Sequence, residues 1–211
     1  MIVDGYVYFV DWSKQVKKLE RMPVDGGTSE VVFEWDSEAS AVHIRRMERN
    51  GANLFFQVLG YSDELADAVS GVYCYDLTTG QSSLVKEGLP GPYSVQDGFV
   101  YYGNSEGLCR YSIQEGTTEI LADQPMNAPT ITLTKDYIIL CDQFLDGSTL
   151  NVYDYEGEKI TTVPNTVSLG WYYGGDSDML FGQSWKEDPV MCFLDLTRPV
   201  TELQWEEQWE E

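Results

Sequence analysis

Asp97-Gly98-Phe99-Val100-Tyr101-Tyr102 reads as a tight turn running straight into a β-strand. Aspartate and glycine tolerate the positive φ that short hairpin turns need, and the aromatic and branched run behind them suits a pleated, half-buried surface. The same pattern recurs at Asp4-Gly5-Tyr6-Val7-Tyr8-Phe9, Gly51-Ala52-Asn53-Leu54-Phe55-Phe56 and Lys135-Asp136-Tyr137-Ile138-Ile139-Leu140. A weaker copy is Gly175-Asp176-Ser177-Asp178-Met179-Leu180-Phe181. Every run is too short to stand as a helix.

Working outward, each run is followed by a second strand that ends in another turn. These are Leu19 to Val24 before Asp25-Gly26-Gly27, Val72 to Leu77 before Thr78-Thr79-Gly80, and Leu108 to Ile113 before Gln114-Glu115-Gly116. The last two are Leu150 to Tyr155 before Glu156-Gly157 and Met191 to Leu196 before Thr197-Arg198-Pro199. A more polar strand, suited to an exposed edge, closes each unit at Glu30 to Phe33, Ser82 to Lys86, Thr117 to Leu121, Lys159 to Val163 and Val200 to Trp205. Between units lies one strand more, at Ala41 to Arg46, Tyr93 to Gln96, Thr130 to Leu133 and Ser168 to Tyr172.

Four strands per unit, repeated every forty residues or so, are what propeller blades require, because a small sheet alone cannot bury its faces and must stack on its neighbours. A β-sandwich has no reason to repeat one strand-turn-strand order five times. The expectation is an all-β, β-propeller-like fold of five four-stranded antiparallel blades in a single domain, with repeats at roughly 1–36, 37–88, 89–124, 125–165 and 166–211. No inner strand precedes Asp4, so the first blade is expected to be incomplete. The last unit has strands of its own followed by Glu206-Glu207-Gln208-Trp209-Glu210-Glu211. Together these imply an open arc or an N-terminally truncated piece of a larger propeller. Asp63 to Ala68 is expected to form a helical turn inside a long loop.

With 35 acidic and 13 basic residues the formal charge is −22, which repels a polyanionic phosphate backbone and argues against nucleic acid as a partner. Cys74, Cys109, Cys141 and Cys192 form no CxxC pair and read as buried free thiols. The N-terminus lacks a basic segment followed by an apolar run and a small-residue cleavage site, and no apolar stretch approaches the ~18 residues of a membrane span. These features leave the cellular compartment open.

The motifs of common active sites are missing from the chain. A nucleophile needs a base within reach, and the one histidine, His43, alternates with Val42 and Ile44 in an expected strand, where a structural role fits it better. There is no phosphate-cradling glycine loop in front of a helix. Asp142 to Gly147 and Asp176 to Asp178 hold only pieces of a calcium loop. No metal and no cofactor are expected. Asp97, Asp136 and Asp178 begin corresponding strands, and carboxylates gathered at the mouth of a propeller channel are the means by which a glycoside hydrolase supplies acid and base; turn formation is the ordinary alternative. Of the six tryptophans, Trp12 and Trp185 fall in expected loops, where they would serve a sugar or a protein as a stacking surface.

Tyr8-Phe9-Val10-Asp11 followed by Leu19-Glu20-Arg21-Met22-Pro23-Val24-Asp25-Gly26-Gly27 resembles the YWTD-type repeat of low-density lipoprotein receptor propellers, and it is similar to related bacterial propeller domains of unknown function. Tyr73-Cys74-Tyr75-Asp76-Leu77-Thr78-Thr79-Gly80 and Val152-Tyr153-Asp154-Tyr155-Glu156-Gly157 share its order of apolar strand, aspartate and turn glycine. No copy holds a full Tyr-Trp-Thr-Asp, and the cysteine-rich modules that flank receptor propellers are missing. The resemblance implies a non-enzymatic binding or scaffold role, often in exported or surface proteins, toward a protein, peptide or carbohydrate. The alternative expectation is a carbohydrate-active enzyme using the three aspartates.

Overall fold

The computed structural model describes residues 1–11, 18–34, 42–60, 70–89, 91–126, 130–141, 149–164, 167–168, 179–184, 191–195, 197–199, 202, 204 and 206–207. No α-helix occurs among the described residues. The strands form five four-stranded sheets, divided between two compact units, Met1–Pro90 and Gly91–Glu211.

In the first unit, β1 (Ile2–Val3), β2 (Tyr6–Val10), β3 (Lys18–Pro23) and β4 (Glu30–Glu34) make the first sheet. The second holds β5 (Val42–Asn50), β6 (Asn53–Gly60), β7 (Gly71–Asp76) and β8 (Gln81–Glu87). Spatial order follows chain order and all pairing is antiparallel, so each sheet is a meander. The first hairpin pairs Val3 with Tyr6 around Asp4 and Gly5, whose φ angles of 47° and 82° both lie in the left-handed region. That is the two-residue turn whose twist matches the strands it joins. Between the sheets, Val3, Tyr8, Leu19, Ile44, Leu54, Phe56, Val58, Tyr73 and Tyr75 form one buried cluster.

In the second unit, the third sheet comprises β9 (Tyr93–Gln96), β10 (Phe99–Asn104), β11 (Gly107–Ser112) and β12 (Thr118–Ala122). The fourth comprises β13 (Thr130–Leu133), β14 (Ile138–Cys141), β15 (Thr149–Tyr153) and β16 (Lys159–Pro164). The fifth comprises β17 (Val167–Ser168), β18 (Met179–Ser184), β19 (Met191–Asp195) and β20 (Glu206–Glu207). Asp97 and Gly98, with φ of 51° and 81°, repeat the Asp4-Gly5 turn between β9 and β10. Ile139, Cys141, Leu150, Val152, Val163 and Leu194 make a second buried cluster. Turns after the third strands are held by a side chain at the strand end: Asp76 accepts the Thr78 and Thr79 amides at 2.7 and 3.1 Å, and Asp154 accepts those of Glu156 and Glu158 at 3.1 and 2.7 Å.

The fourth strand of each of the first four sheets joins its neighbour through a β-bulge, between Leu19 and Glu20, Val72 and Tyr73, Leu108 and Cys109, and Val152 and Tyr153. Bulges bend and twist an edge strand, which hinders its pairing with a second molecule.

Three details differ from the sequence reading. The first sheet does have an innermost strand, the two-residue β1, so that blade is short in its first strand and not missing it. The closing strand of the last unit is Glu206–Glu207, later than Val200 to Trp205. The Pro199 carbonyl accepts the Glu202 amide at 2.8 Å, and this turn delays the strand. β5 runs on to Asn50, past the expected end at Arg46, because a bulge there lets pairing continue. The helical turn expected at 63–68 and the calcium-loop pieces at 142–147 and 176–178 lie outside the described residues.

Candidate functional site

Two arginines on third strands organise the most elaborate polar groupings among the described residues. Arg21 of β3 stands opposite Tyr8 of β2 and Glu30 of β4. Its guanidinium carbon lies 4.7 Å from the centre of the Tyr6 ring, and its Nε donates to Glu30 Oε1. The Tyr8 ring in turn meets Tyr75 of β7, with centroids 6.2 Å apart. Arg110 of β11 repeats the arrangement, opposite Tyr101 of β10 and Glu119 of β12. It lies 5.0 Å from the Phe99 ring centre and donates from Nη2 to Glu119 Oε2 at 2.6 Å. Its Nη1 reaches the Tyr155 carbonyl at 3.3 Å, and the Tyr101 and Tyr155 rings meet edge to face at 5.6 Å.

Both guanidiniums are held above their ordinary pKa, Arg21 chiefly by its hydrogen bond to Tyr8 and Arg110 chiefly by Glu119, with burial opposing in each case. A cation fixed this way does not shuttle protons; it ties the second, third and fourth strands of its own sheet together by ring stacking and a charged hydrogen bond, and Arg110 also reaches the next sheet at the Tyr155 carbonyl. The second and fourth sheets put small or apolar residues at the same places, Phe55, Cys74 and Ser83 in one and Ile139, Val152 and Thr161 in the other. The sequence reading did not single out the arginines. Their signal was present in Tyr6-x-Tyr8 and Phe99-x-Tyr101, each followed by an arginine and a glutamate nine positions apart.

Asp97 and Asp136 are both exposed turn residues. They converge in one respect: each adds negative potential at the Tyr155 phenol. That phenol donates to the Thr134 carbonyl at 2.6 Å and is pushed well above the usual tyrosine range, first by burial and then by Tyr101 and the two aspartates. A carboxyl kept protonated for general-acid work is typically sheltered from water, and neither of these is. Asp178, Trp12 and Trp185 lie outside the described residues. His43 is half-buried on β5, opposite Leu59, and has a contact of its own. Cys109, Cys141 and Cys192 are buried and form no disulfide, and the Cys74 thiol is pushed up to about 11 by burial, with Asp76 adding. Among the described residues, no group of three or more His, Cys, Asp or Glu side chains is placed to hold a metal, and no helix is long and apolar enough to cross a membrane.

Repeated four-stranded antiparallel meanders of this kind define a β-propeller fold, and solved structures bear this out. TolB from Acinetobacter baumannii superposes with a TM-score of 0.63 at 13% identity, over 93% of this chain and 51% of that one. Prolyl oligopeptidase B from Galerina marginata gives 0.66 at 11% identity, over 96% and 32%. Regucalcin from Agrobacterium tumefaciens, a calcium-binding protein, gives 0.59 at 15% identity, over 89% and 67%. The chain thus spans about half the length of the TolB structure and a third of the peptidase. At such identities the likeness establishes the fold alone. No protein-family model matches the sequence, and no curated protein matches it.

Proposed function

We propose that the chain is a non-enzymatic binding or scaffold propeller domain, acting as one domain over 1–211, whose loops contact a protein, peptide or carbohydrate through Trp12 and Trp185. The observation that carries this reading is an asymmetry between the two ends of the sheets. In the first three sheets the first and second strands are joined by the two-residue turns 4–5, 51–52 and 97–98, and in the fourth by 134–137, while the fifth sheet has the longer stretch 169–178 there. In a meander the second-to-third connection leaves from the opposite end, and there the chain runs through 11–17, 61–70, 142–148 and 185–190 in four of the sheets, against the two-residue turn 105–106 in the third. Long connections on a rigid scaffold are where binding residues concentrate. Trp12 and Trp185 belong to two of these segments. The likeness to YWTD-type repeats supports the same reading and adds an exported or surface location.

The test is a peptide and glycan array probed with labelled protein, followed by Trp12→Ala and Trp185→Ala. The expected result is loss of the array signal with an unchanged Tm. Signal retained in both variants would count against the loops as the binding face. The second reading, a glycoside hydrolase using Asp97, Asp136 and Asp178, rests on the place of these carboxylates at the start of corresponding strands. Release of nitrophenol from aryl glycosides, abolished by Asp97→Asn or Asp136→Asn, would replace the first reading with this one.

A further inference from the structure

Two buried clusters show how one sheet of this chain packs on the next. Tyr8, Leu19 and the partly buried Val10 and Phe33 of the first sheet meet Leu54, Phe56, Tyr73 and Tyr75 of the second. Ile139, Leu150 and Val152 of the fourth sheet meet Leu194 of the fifth. In both cases a sheet turns one face toward the sheet that follows it in the chain. The first sheet has a second face, and among the described residues no sheet comes before it in chain order.

Strand residues alternate between faces, so the positions between Tyr8, Val10 and Leu19 belong to this second face. Ile2, Val7 and Met22 stand in one row across three strands, and Phe9 and Glu20 stand in the next. Counted from the Asp4-Gly5 and Gly51-Ala52 turns, the second sheet has Leu54, Phe56 and Tyr75 where the first has Val7, Phe9 and Met22. The three in the second sheet are buried in the cluster; the three in the first are only half-buried. Val24 and Leu77 also correspond, donating their amides to the Gly5 and Ala52 carbonyls, both at 2.9 Å. Leu77 packs on the cluster, whereas Val24 is 55% exposed and Ile2 71%. An end member of a stacked array ordinarily stays soluble by turning a polar face outward, and this sheet turns an apolar one. At the other end of the order, Cys192 and Leu194 are buried, and Phe193 between them points away from the fourth sheet and is half-buried.

We propose that the outer face of the first sheet is an association surface for a second copy of this chain, whose fifth sheet takes the place of a preceding blade. The contact repeats the one the chain makes within itself: the face a sheet turns toward its follower meets the face a sheet turns toward its predecessor. One copy offers the second kind of face at its first sheet and the first kind, around Phe193, at its fifth. Such a contact is heterologous, so it joins copies head to tail. Bulged outer strands disfavour edge-to-edge pairing, which leaves the faces for association. The charge of −22 opposes self-association at long range. On this face the opposition is small, because the acid among its apolar residues, Glu20, is 9% exposed and accepts the Ser29 hydroxyl at 2.7 Å. The surface is separate from the loop tryptophans.

Sedimentation equilibrium of the full chain tests this, from about 1 μM to about 500 μM at about 150 mM salt, where long-range repulsion is screened. The expected result is an average mass that climbs above 23.9 kDa with concentration. Ile2→Lys and Val24→Lys should each weaken association about tenfold or more, since each buries an unpaired charge in the contact. Both sites are exposed, so Tm should stay close to the parent, and lysine lowers the net negative charge, so added repulsion cannot account for the loss. Leu84→Lys, at an exposed apolar site of the second sheet, should leave association unchanged. Phe193→Ser blocks the opposite end, and an equal mixture of it with Val24→Lys should give dimers and nothing larger. Cross-links between first-sheet and fifth-sheet residues, in a mixture of isotope-labelled and unlabelled parent, should join the two labels; this reads the contact with no variant at all. Trp12→Ala and Trp185→Ala should not alter association, so the loop reading and this one fail separately. A monomer across the whole range, association undiminished in both lysine variants or lost equally in Leu84→Lys, association kept by a folded Phe193→Ser, or cross-links confined to single chains would overturn the proposal.

Discussion

Arg110 bonds in three directions at once, to Glu119, to the Tyr155 carbonyl and onto the Phe99 ring. Its side chain is 26% exposed, so solvent screens part of the gain. Arg110→Ala should cost about 1–2 kcal/mol, measured by urea midpoint, and Arg110→Lys should recover only part of this, since a lysine keeps the charge and loses the fork. If lysine restored full stability, charge alone would be responsible and the stacking account would fail. Asp76 makes a prediction about pH. Its carboxyl sits below the ordinary value, chiefly through the amides of Thr79 and Thr78. With the folded pKa below the unfolded one, near about 3.9, the stabilisation is complete above that unfolded value and disappears as pH falls through the folded one. Asp76→Asn keeps an acceptor that does not titrate. The stability difference between parent and variant should therefore hold at neutral pH and shrink as pH falls below about 4; a constant difference would show that Asp76 does not titrate with folding.

Turns and bulges differ in how well they can be read in advance, and the reason is chemical. Asp4-Gly5 and Asp97-Gly98 announce themselves because few residues accept positive φ. The bulges carry no such mark: their extra residues are ordinary apolar side chains, Val32, Val85 and Leu121 in three of the sheets, and only the pairing partner exposes them. Arg46 shows the limit most plainly, since nothing in its sequence neighbourhood signals a left-handed residue. Glycines divide in a similar way. A Cβ on Gly98 would meet nothing within 4 Å, while one on Gly157 would lie 2.2 Å from the Leu121 carbonyl oxygen of the neighbouring sheet. Gly98→Ala should thus cost only about 1 kcal/mol for its backbone angle. Gly157→Ala, which must also move a backbone, should cost about 3 kcal/mol or more. Thermal unfolding of the two variants checks the contrast, and equal losses would mean the close approach at Gly157 relaxes freely.

At the scale of the whole chain, the five-fold repeat was legible because each unit restates one turn-strand-turn order, and the strands pair into five four-stranded sheets. The arginine groupings were not, because Arg21 and Glu30 meet only once strands of one sheet are in register, and a tyrosine of the next sheet completes the set. Charge was legible from the first line, and it makes the last prediction. The acidic groups outnumber the 13 cations by 22. Screening weakens the pairs of Arg21, Arg49 and Arg110 with their carboxylates, each an exposed pair of about 0–1 kcal/mol. It also weakens repulsion among the surplus carboxylates, which are more numerous and act over longer distances. Raising salt from about 10 mM to about 150 mM shortens the screening length from about 30 Å to about 8 Å. Long-range repulsion is lost first and contacts at hydrogen-bond distance last. The melting temperature should therefore rise across that range at neutral pH, and the rise should shrink near the isoelectric point of about 4.1. A fall in Tm with salt at pH 7 would mean that the few ion pairs outweigh the surplus charge, and that the acidic surface is organised around them.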